Sequence, residues 1–429
     1  MSFQSLPGFR DFYPPEFSVR AHIVNVWRET ARRFAFEEYD GPPLEPLELY
    51  VEKSGQEIVD QLYAFEDKGG RAVAMRPEMT PTLARMVGAR AGSMPKPIRW
   101  FSVPQLFRYE RTQRGRLREH FQWNVDVIGE EDVAADAEVL CVALEALRAF
   151  GLGAEDVVAR VSDRRLMERV LRGLGVPAER LGGVYAAIDK LEREGPERTH
   201  DRLVKQAELE DAVADGVLGI FRHESLDALA DAYGGHEGVS AEVERLRGLF
   251  EHVSDAGLAD FARFDPRIVR GLAYYTGAVF EVFDRRGELR AVCGGGRYDH
   301  LLAKVSASDL PAVGFGMGDV VLAELLKERG LLPDVRPSVD YYLVAIGDEQ
   351  RPLARRLARE LRASGRSATY ALRATGVGKQ FKEADARGAR HAVVLGPEEV
   401  GQGVAVVKEM ASGTERRVAL TELAGLADG

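Results

Sequence analysis

The sequence predicts an α+β chain of two domains: a large one built on an antiparallel sheet and interrupted by helices, then a small α/β domain. Three observations predict it. Two strand-like runs, 98–109 and 121–129, flank the loop 110–119 and read as a long hairpin. From about 165 to 255 the texture changes to Leu, Ala, Glu and Arg at helical spacing. Beyond Pro333 and Pro337, strand-like and helix-like segments alternate, the pattern of a small domain with a largely parallel sheet. A length of 429 residues exceeds what one hydrophobic core usually organises. The expected boundaries are 1–330 for the large domain with its helical insertion, 331–337 for a linker and 338–429 for the small domain.

Taken in order, Ile23, Trp27, Ala31 and Phe34 recur at three- and four-residue spacing and predict an amphipathic helix over 19–34. Gly41-Pro42-Pro43 breaks it. Residues 71–76 read as a strand, and Thr80 is placed to N-cap a helix with Pro81 at its first position, so Glu78 falls at a strand-to-helix junction. Leu166, Val170, Leu171 and Leu174, then Leu246, Leu249 and Phe250, mark the helical insertion. Strands are expected again at 273–283, 288–293 and 312–317, separated by glycines. In the small domain, strands at 341–346, 368–372 and 391–395 alternate with helices at 351–364 and 378–389.

Composition narrows the class. With 45% hydrophobic and 29% charged residues the chain is globular, and it has no run of about 18 uncharged apolar residues. Met1-Ser2-Phe3-Gln4 lacks the basic and apolar regions of a signal peptide, so a cytoplasmic location without membrane attachment is expected. Cys141 and Cys293, far apart and outside any Cys-x-x-Cys spacing, argue against a disulfide framework or a structural zinc, and no metal-ligand set is expected. The formal charge of −10 argues against polyanion binding only if charge is evenly spread. It is not: residues 351–390 hold eleven Arg or Lys against Glu360, Glu383 and Asp385. That run reads equally as a polyanion-facing surface or as a solvated helix face.

The chemistry concentrates in two places. In Phe121-Gln122-Trp123-Asn124-Val125-Asp126-Val127, polar and apolar residues alternate, so Gln122, Asn124 and Asp126 share one strand face. Such a face is either wet or functional. Immediately before it, Arg108-Tyr109-Glu110-Arg111-Thr112-Gln113-Arg114-Gly115-Arg116-Leu117-Arg118 carries five arginines, whose planar guanidinium suits phosphate. The second place is Val269-Arg270-Gly271-Leu272-Ala273-Tyr274-Tyr275-Thr276-Gly277, followed by Cys293-Gly294-Gly295-Gly296-Arg297-Tyr298-Asp299.

Phe107-Arg108-Tyr109-Glu110, the arginine loop and the strand after it resemble motif 2 of class II aminoacyl-tRNA synthetases, and Arg-Gly-Arg-Leu-Arg-Glu resembles the histidyl-tRNA synthetase family. The Arg270–Gly277 and Cys293–Asp299 stretches resemble two further signatures of that family. The opening Leu6-Pro7-Gly8-Phe9-Arg10-Asp11-Phe12-Tyr13-Pro14 and residues 336–429 extend the likeness over nearly the whole chain. The resemblance implies a class II synthetase-like catalytic domain and an anticodon-binding α/β domain. It implies ATP as substrate, with Mg2+, and L-histidine and tRNA(His) as partners. Pro42, where motif 1 places its proline at the dimer interface, implies a homodimer. By resemblance Arg108 and Arg270 are catalytic at the α-phosphate. Glu110 and Arg116 bind ATP, with His120 or Phe121 stacking on adenine, the plainer alternative for His120 being an exposed loop position. Glu78, Thr80, Gln122, Asp126, Arg270, Tyr274 and Tyr275 surround histidine.

The pattern departs at three points. Where the family's motif 3 ends in an arginine for the γ-phosphate, Gly318-Asp319-Val320-Val321 has none; Arg114, Arg116 or Arg118 with magnesium would have to neutralise the triphosphate. Ala273 replaces a common acid, and His120 stands for a common aromatic ring. Gly378-Lys379 is not a phosphate-binding P-loop, since Gln380 stands where Ser or Thr is needed. The missing arginine keeps open a rival, a non-catalytic histidine-sensing paralogue such as the regulatory subunit of ATP phosphoribosyltransferase. A synthetase for another amino acid fits the polar strand and the Tyr-Tyr pair less well.

Overall fold

The computed structural model describes residues 3–54, 56–269, 274–287, 289–306, 308–333 and 338–425. The chain divides into two compact units, Met1–Phe12 with Val19–Leu332, and Tyr13–Ser18 with Pro333–Gly429.

The first unit is organised by a nine-stranded sheet. Six strands run antiparallel to their neighbours in the order Ile98–Ser102, Glu119–Ile128, Ala312–Gly318, Cys293–Arg297, Ala278–Asp284 and Val157–Asp163. Short parallel strands, Glu37–Glu38 and Ala262–Phe264, close the edges. Because side chains alternate across a strand, every pair of facing residues shares a face. One face, with Phe101, Trp123, Val125, Phe315, Met317 and Phe280, is core. Trp27 stacks on Trp123 at 6.0 Å, and Phe315 meets Trp123 edge-on at 5.1 Å. The helix Val133–Ala149 lies on this face, almost wholly apolar, with Asp132 capping its start through the Ala134 amide at 2.9 Å.

Arg297 anchors that helix to the sheet. Its side chain is 1% exposed, and Nε sits 3.0 Å from both carboxylate oxygens of Asp136 while the other nitrogens donate to the carbonyls of Glu130 and Asp132. Burying this ion pair is tolerable because nearly every donor finds an acceptor.

The inserted segment is helical from Arg164–Gly173 to Val239–Asp255, and its Leu166, Val170, Leu246 and Leu249 are buried. In the second unit the sheet order is Ala368–Tyr370, Val339–Ala345, Ala389–Leu395, Val404–Glu409, Glu415–Ala419. The first three strands are parallel and the last two antiparallel, so the sheet is mixed. Glu415–Ala419 is a charged, mostly exposed edge, and Val404–Glu409 opens on an unbroken apolar run, so neither shows apolar–polar alternation in its spelling.

Three local expectations need correction. The run 98–109 is not one strand: it breaks at Val103-Pro104, since proline has no amide to give, and Gln105–Phe107 resumes beside the same partner. Thr80 does not cap its helix; it is the first helical residue of Thr80–Arg90, and Met79 precedes it without a side-chain cap. Glu288 lies outside the described residues, and of the strand expected at 288–293 the described part begins only at Cys293 and runs through the glycines. Their turn-like spelling misleads because only glycine fits there: a Cβ on Gly295 would collide with the Gly314 carbonyl and lie 2.6 Å from Phe315 Cβ.

Candidate active site

The second face of the large sheet is built from the same strands by the opposite parity. Gln122, Asn124 and Asp126 face Gly318, Gly316 and Gly314, which in turn face Gly294 and Gly296, then Glu281 and Val279. Glycine therefore paves the middle of the sheet while polar groups rise at either side. A Cβ at Gly314 would overlap Asp126 Oδ1, and one at Gly316 would stand 2.8 Å from Gln122 Cδ. The glycines make room for the two side chains.

Over this floor lies a cleft of about 750 Å³. Arg108, Glu110, Arg116, His120 and Gln122 line one wall, Glu281 and Arg290 the other, and Val320 and Val321 one end. The arginine hairpin is held in place at its base. Arg108 N donates to Arg118 O at 2.9 Å, and Arg118 N to Gly8 O at 3.0 Å, where Gly8 has φ +86°. Arg10 from the same opening segment grips Glu119 at 2.6 Å and Asp319 at 2.9 Å, and Asp319 accepts the Phe121 amide at 2.9 Å. Burial raises the Asp319 carboxyl even with Arg10 against it. Thus the N-terminal segment braces the wall that carries the site.

Within the cleft, Arg108 Nε donates to Pro77 O at 2.9 Å, which ties it to the junction carrying Glu78. Arg116 pairs with Glu110 at 2.9 Å. His120 sits on the strand, not in a loop. Burial first, then the guanidinium groups of Arg108 and Arg10, push its imidazole down to about 3, so it is neutral at physiological pH.

Not every expected residue enters the cleft lining. Phe121 has the wrong parity: its ring lies 6.2 Å from Phe12 with Arg20 at 4.5 Å, on the face opposite Gln122, so His120 is the ring available to a base in the cleft. Arg114 points to Glu324 and Glu328, and Arg118 lies over Tyr109 at 4.5 Å, so of these three arginines Arg116 alone lines the cleft. Asp126, 5% exposed, is enclosed beyond Asn124, where it accepts from the Tyr298 hydroxyl. Tyr274 meets Tyr298 edge-on at 6.2 Å and stacks obliquely on Tyr275 at 4.6 Å. Glu78 and Thr80 stand at the start of helix Thr80–Arg90, half-buried. Arg270, with Gly271, Leu272 and Ala273, lies outside the described residues. Sequence reasoning missed Tyr298, Glu281 and Arg290. Tyr298 had a signal in Gly-Arg-Tyr-Asp, whereas Glu281 and Arg290 reach the cleft only through strand pairing.

Among known proteins, the family model described as histidyl-tRNA synthetase matches residues 8–319, and that of the anticodon binding domain matches residues 340–427. The chain belongs to the histidyl-tRNA synthetase family. It is similar to a protein of Opitutus terrae named histidine–tRNA ligase, 45% identical over 97% of this chain and 96% of that one. A chloroplastic/mitochondrial histidine–tRNA ligase of Arabidopsis thaliana is 41% identical over 97% of this chain and 85% of that one. In fold, the chain resembles the crystal structure of histidyl-tRNA synthetase from Nostoc sp. PCC 7120, with a TM-score of 0.84 and 23% identity over 99% and 98% of the two chains. No helix among the described residues is long and apolar enough to cross a membrane.

Proposed function

We propose that the chain is a histidine–tRNA ligase whose amino-acid activation takes place in the Arg108–Gln122 cleft and the enclosed pocket beyond it. A histidine carboxylate oxygen attacks the α-phosphorus of ATP, the bond to the bridging oxygen breaks, and pyrophosphate leaves. The 3′-terminal ribose hydroxyl of tRNA(His) then attacks the acyl carbon, and AMP leaves with the bonding electrons.

The observation that carries this reading is one sheet face bearing both halves of the chemistry. Arg108 and Arg116 offer guanidinium groups to phosphates. Along the adjoining strand, Gln122 and the buried Asp126 offer acceptors to the ammonium and imidazole N–H of histidine. Arg108 is assigned to the α-phosphate, where a fixed donor stabilises developing charge, and Arg270 is assigned beside it by family resemblance. Glu110 serves adenine; His120, neutral, is the stacking ring; Glu78, Thr80, Tyr274 and Tyr275 complete the histidine pocket.

Mg2+ keeps several waters and takes most other ligands from phosphates, so one carboxylate in the cleft wall fits it. Of the cleft carboxylates Glu281, which rises from the strand beside Gly294 of the floor, would hold the ion, and the ion would neutralise phosphate charge when bound. Residues 1–330, interrupted at about 165–255, are assigned to catalysis and 338–429 to the anticodon. The homodimer through the Pro42 region is assigned by family resemblance, and the cytoplasmic location by the composition and the two widely separated cysteines.

The non-catalytic histidine-sensing alternative is not favoured, because relatives 38–45% identical over nearly the full length are named as ligases. Histidine-dependent ATP–pyrophosphate exchange, followed by aminoacylation of total tRNA, tests the reading. Folded protein that binds histidine without exchange would sink it.

A further inference from the structure

We infer that Arg290 is the residue that holds the terminal phosphates of ATP, a role that rests on the activation reading of the cleft. A triphosphate carries several negative charges, and the cleft wall itself holds Glu110, Asp189, Glu192 and Glu281. Cations already committed to an acid have less charge left for a polyanion. Arg116 is committed to Glu110 at 2.9 Å, and Arg193 to Glu194 at 3.3 Å. Arg290 is different. Among the described residues its guanidinium is held by a neutral partner, Gln113 Oε1, at 2.8 Å. The amide orients the fork without cancelling its charge, and the side chain is exposed to the cleft.

Its position is fixed by one tight turn. Gln113 and Arg116 close that turn by exchanging backbone hydrogen bonds, Gln113 N to Arg116 O at 3.0 Å and Arg116 N to Gln113 O at 2.9 Å. Gly115, at φ +72°, forms its tip, and a Cβ there would lie 3.3 Å from Val321 Cγ2. The same turn therefore touches Arg290 through Gln113, carries Arg116, and packs on Val321. Val320 and Val321, in the first turn of helix Asp319–Glu328, bring no cation to this end of the cleft. Arg290 reaches it from the opposite wall, three residues ahead of Cys293, whose strand runs through the glycine floor. Arg108, tied to the Glu78 junction, stands toward the enclosed histidine pocket. This order along the cleft gives the α-phosphate to Arg108 and the terminal phosphates to Arg290, with Arg116, paired to Glu110, beside them.

The test uses the full chain and compares ATP with AMP, which lacks the phosphates that Arg290 would hold. Arg290→Ala should raise KM for ATP in pyrophosphate exchange, and weaken ATP binding by calorimetry, by about 10–100-fold, as expected for a lost charge-assisted hydrogen bond. AMP affinity and KM for histidine should stay within about twofold, since neither ligand reaches Arg290. Arg290→Lys should keep part of the ATP affinity, because charge survives without the fork. An unchanged KM for ATP, or an equal loss for ATP and AMP, would overturn the role of Arg290 while exchange by the unaltered chain upheld the activation reading. Absence of exchange in the unaltered chain would overturn both.

Discussion

The Tyr298 hydroxyl donates a hydrogen bond to Asp126 Oδ1, and both side chains are enclosed, at 3% and 5% exposure. Asp126 and Tyr298 come from the regions on either side of strand Ala312–Gly318, whose Gly314 faces both Asp126 and Gly296 in the sheet. Burial first, then the neighbouring carboxylate, keeps the Tyr298 hydroxyl protonated far above its ordinary range, so it remains a donor. One carboxylate oxygen is thereby fixed, and the orientation of the whole group with it.

If that bond presents Asp126 to histidine, Tyr298→Phe should raise KM for histidine about 10–100-fold, the worth of a hydrogen bond to a charged group. KM for ATP should change little. Steady-state exchange kinetics separate the two, and equal changes in both would assign Tyr298 to general packing instead.

The glycine floor gives a second expectation. Gly314→Ala and Gly316→Ala should each displace the side chain whose space they invade, Asp126 and Gln122 respectively. Overpacking of this kind costs about 1–3 kcal/mol in stability. Urea denaturation should show that loss, and histidine affinity should fall further than AMP affinity. Wild-type histidine binding in both variants would remove the floor from the specificity argument.

His120 sets a pH dependence. Its folded-state value, about 3, lies below the ordinary histidine value of about 6.5. The unfolded chain therefore binds the proton first. Stability linked to His120 is fully present above about pH 6.5 and is lost as pH falls towards 3, with a limiting slope of about 1.4 kcal/mol per pH unit. His120→Gln should remove that share of the slope between pH 5 and 7 in urea titrations. Parallel stability curves for the two proteins would show that His120 protonates freely in the folded state.

In the second unit, Arg351, Arg355 and Arg373 line a pocket of about 370 Å³ at the end of the parallel strands. Arg355 and Arg359 lie on the exposed side of helix Arg351–Ala363. Replacing both with Glu should weaken tRNA binding and flatten its dependence on salt, by about 0.7–0.9 in logarithmic slope for each phosphate contact removed. Filter binding across a salt series measures this. An unchanged slope would make the basic run a solvated face.

Much of the site was legible in the residues themselves. Strict alternation placed Gln122, Asn124 and Asp126 on one face, and the same parity, applied one residue earlier, separates His120 from Phe121. The arginine density of 108–118 located the cleft wall proposed to meet phosphates, although Arg114 and Arg118 are spent on Glu324, Glu328 and Tyr109. Spacing says that arginines are near one another, not which of them an acid or a ring will occupy.

What the sequence by itself determined was the antiparallel core, the helical insertion, the α/β character of the second unit and the family. These follow from period, composition and motif, all local along the chain. Tertiary structure alone decided that Cys293–Arg297 is a strand, that Tyr298 meets Asp126, and that Arg290 meets Gln113. The last two depend on partners over a hundred residues away, and the first on strand pairing, since the free space beside a glycine exists only once its neighbouring strands are in register.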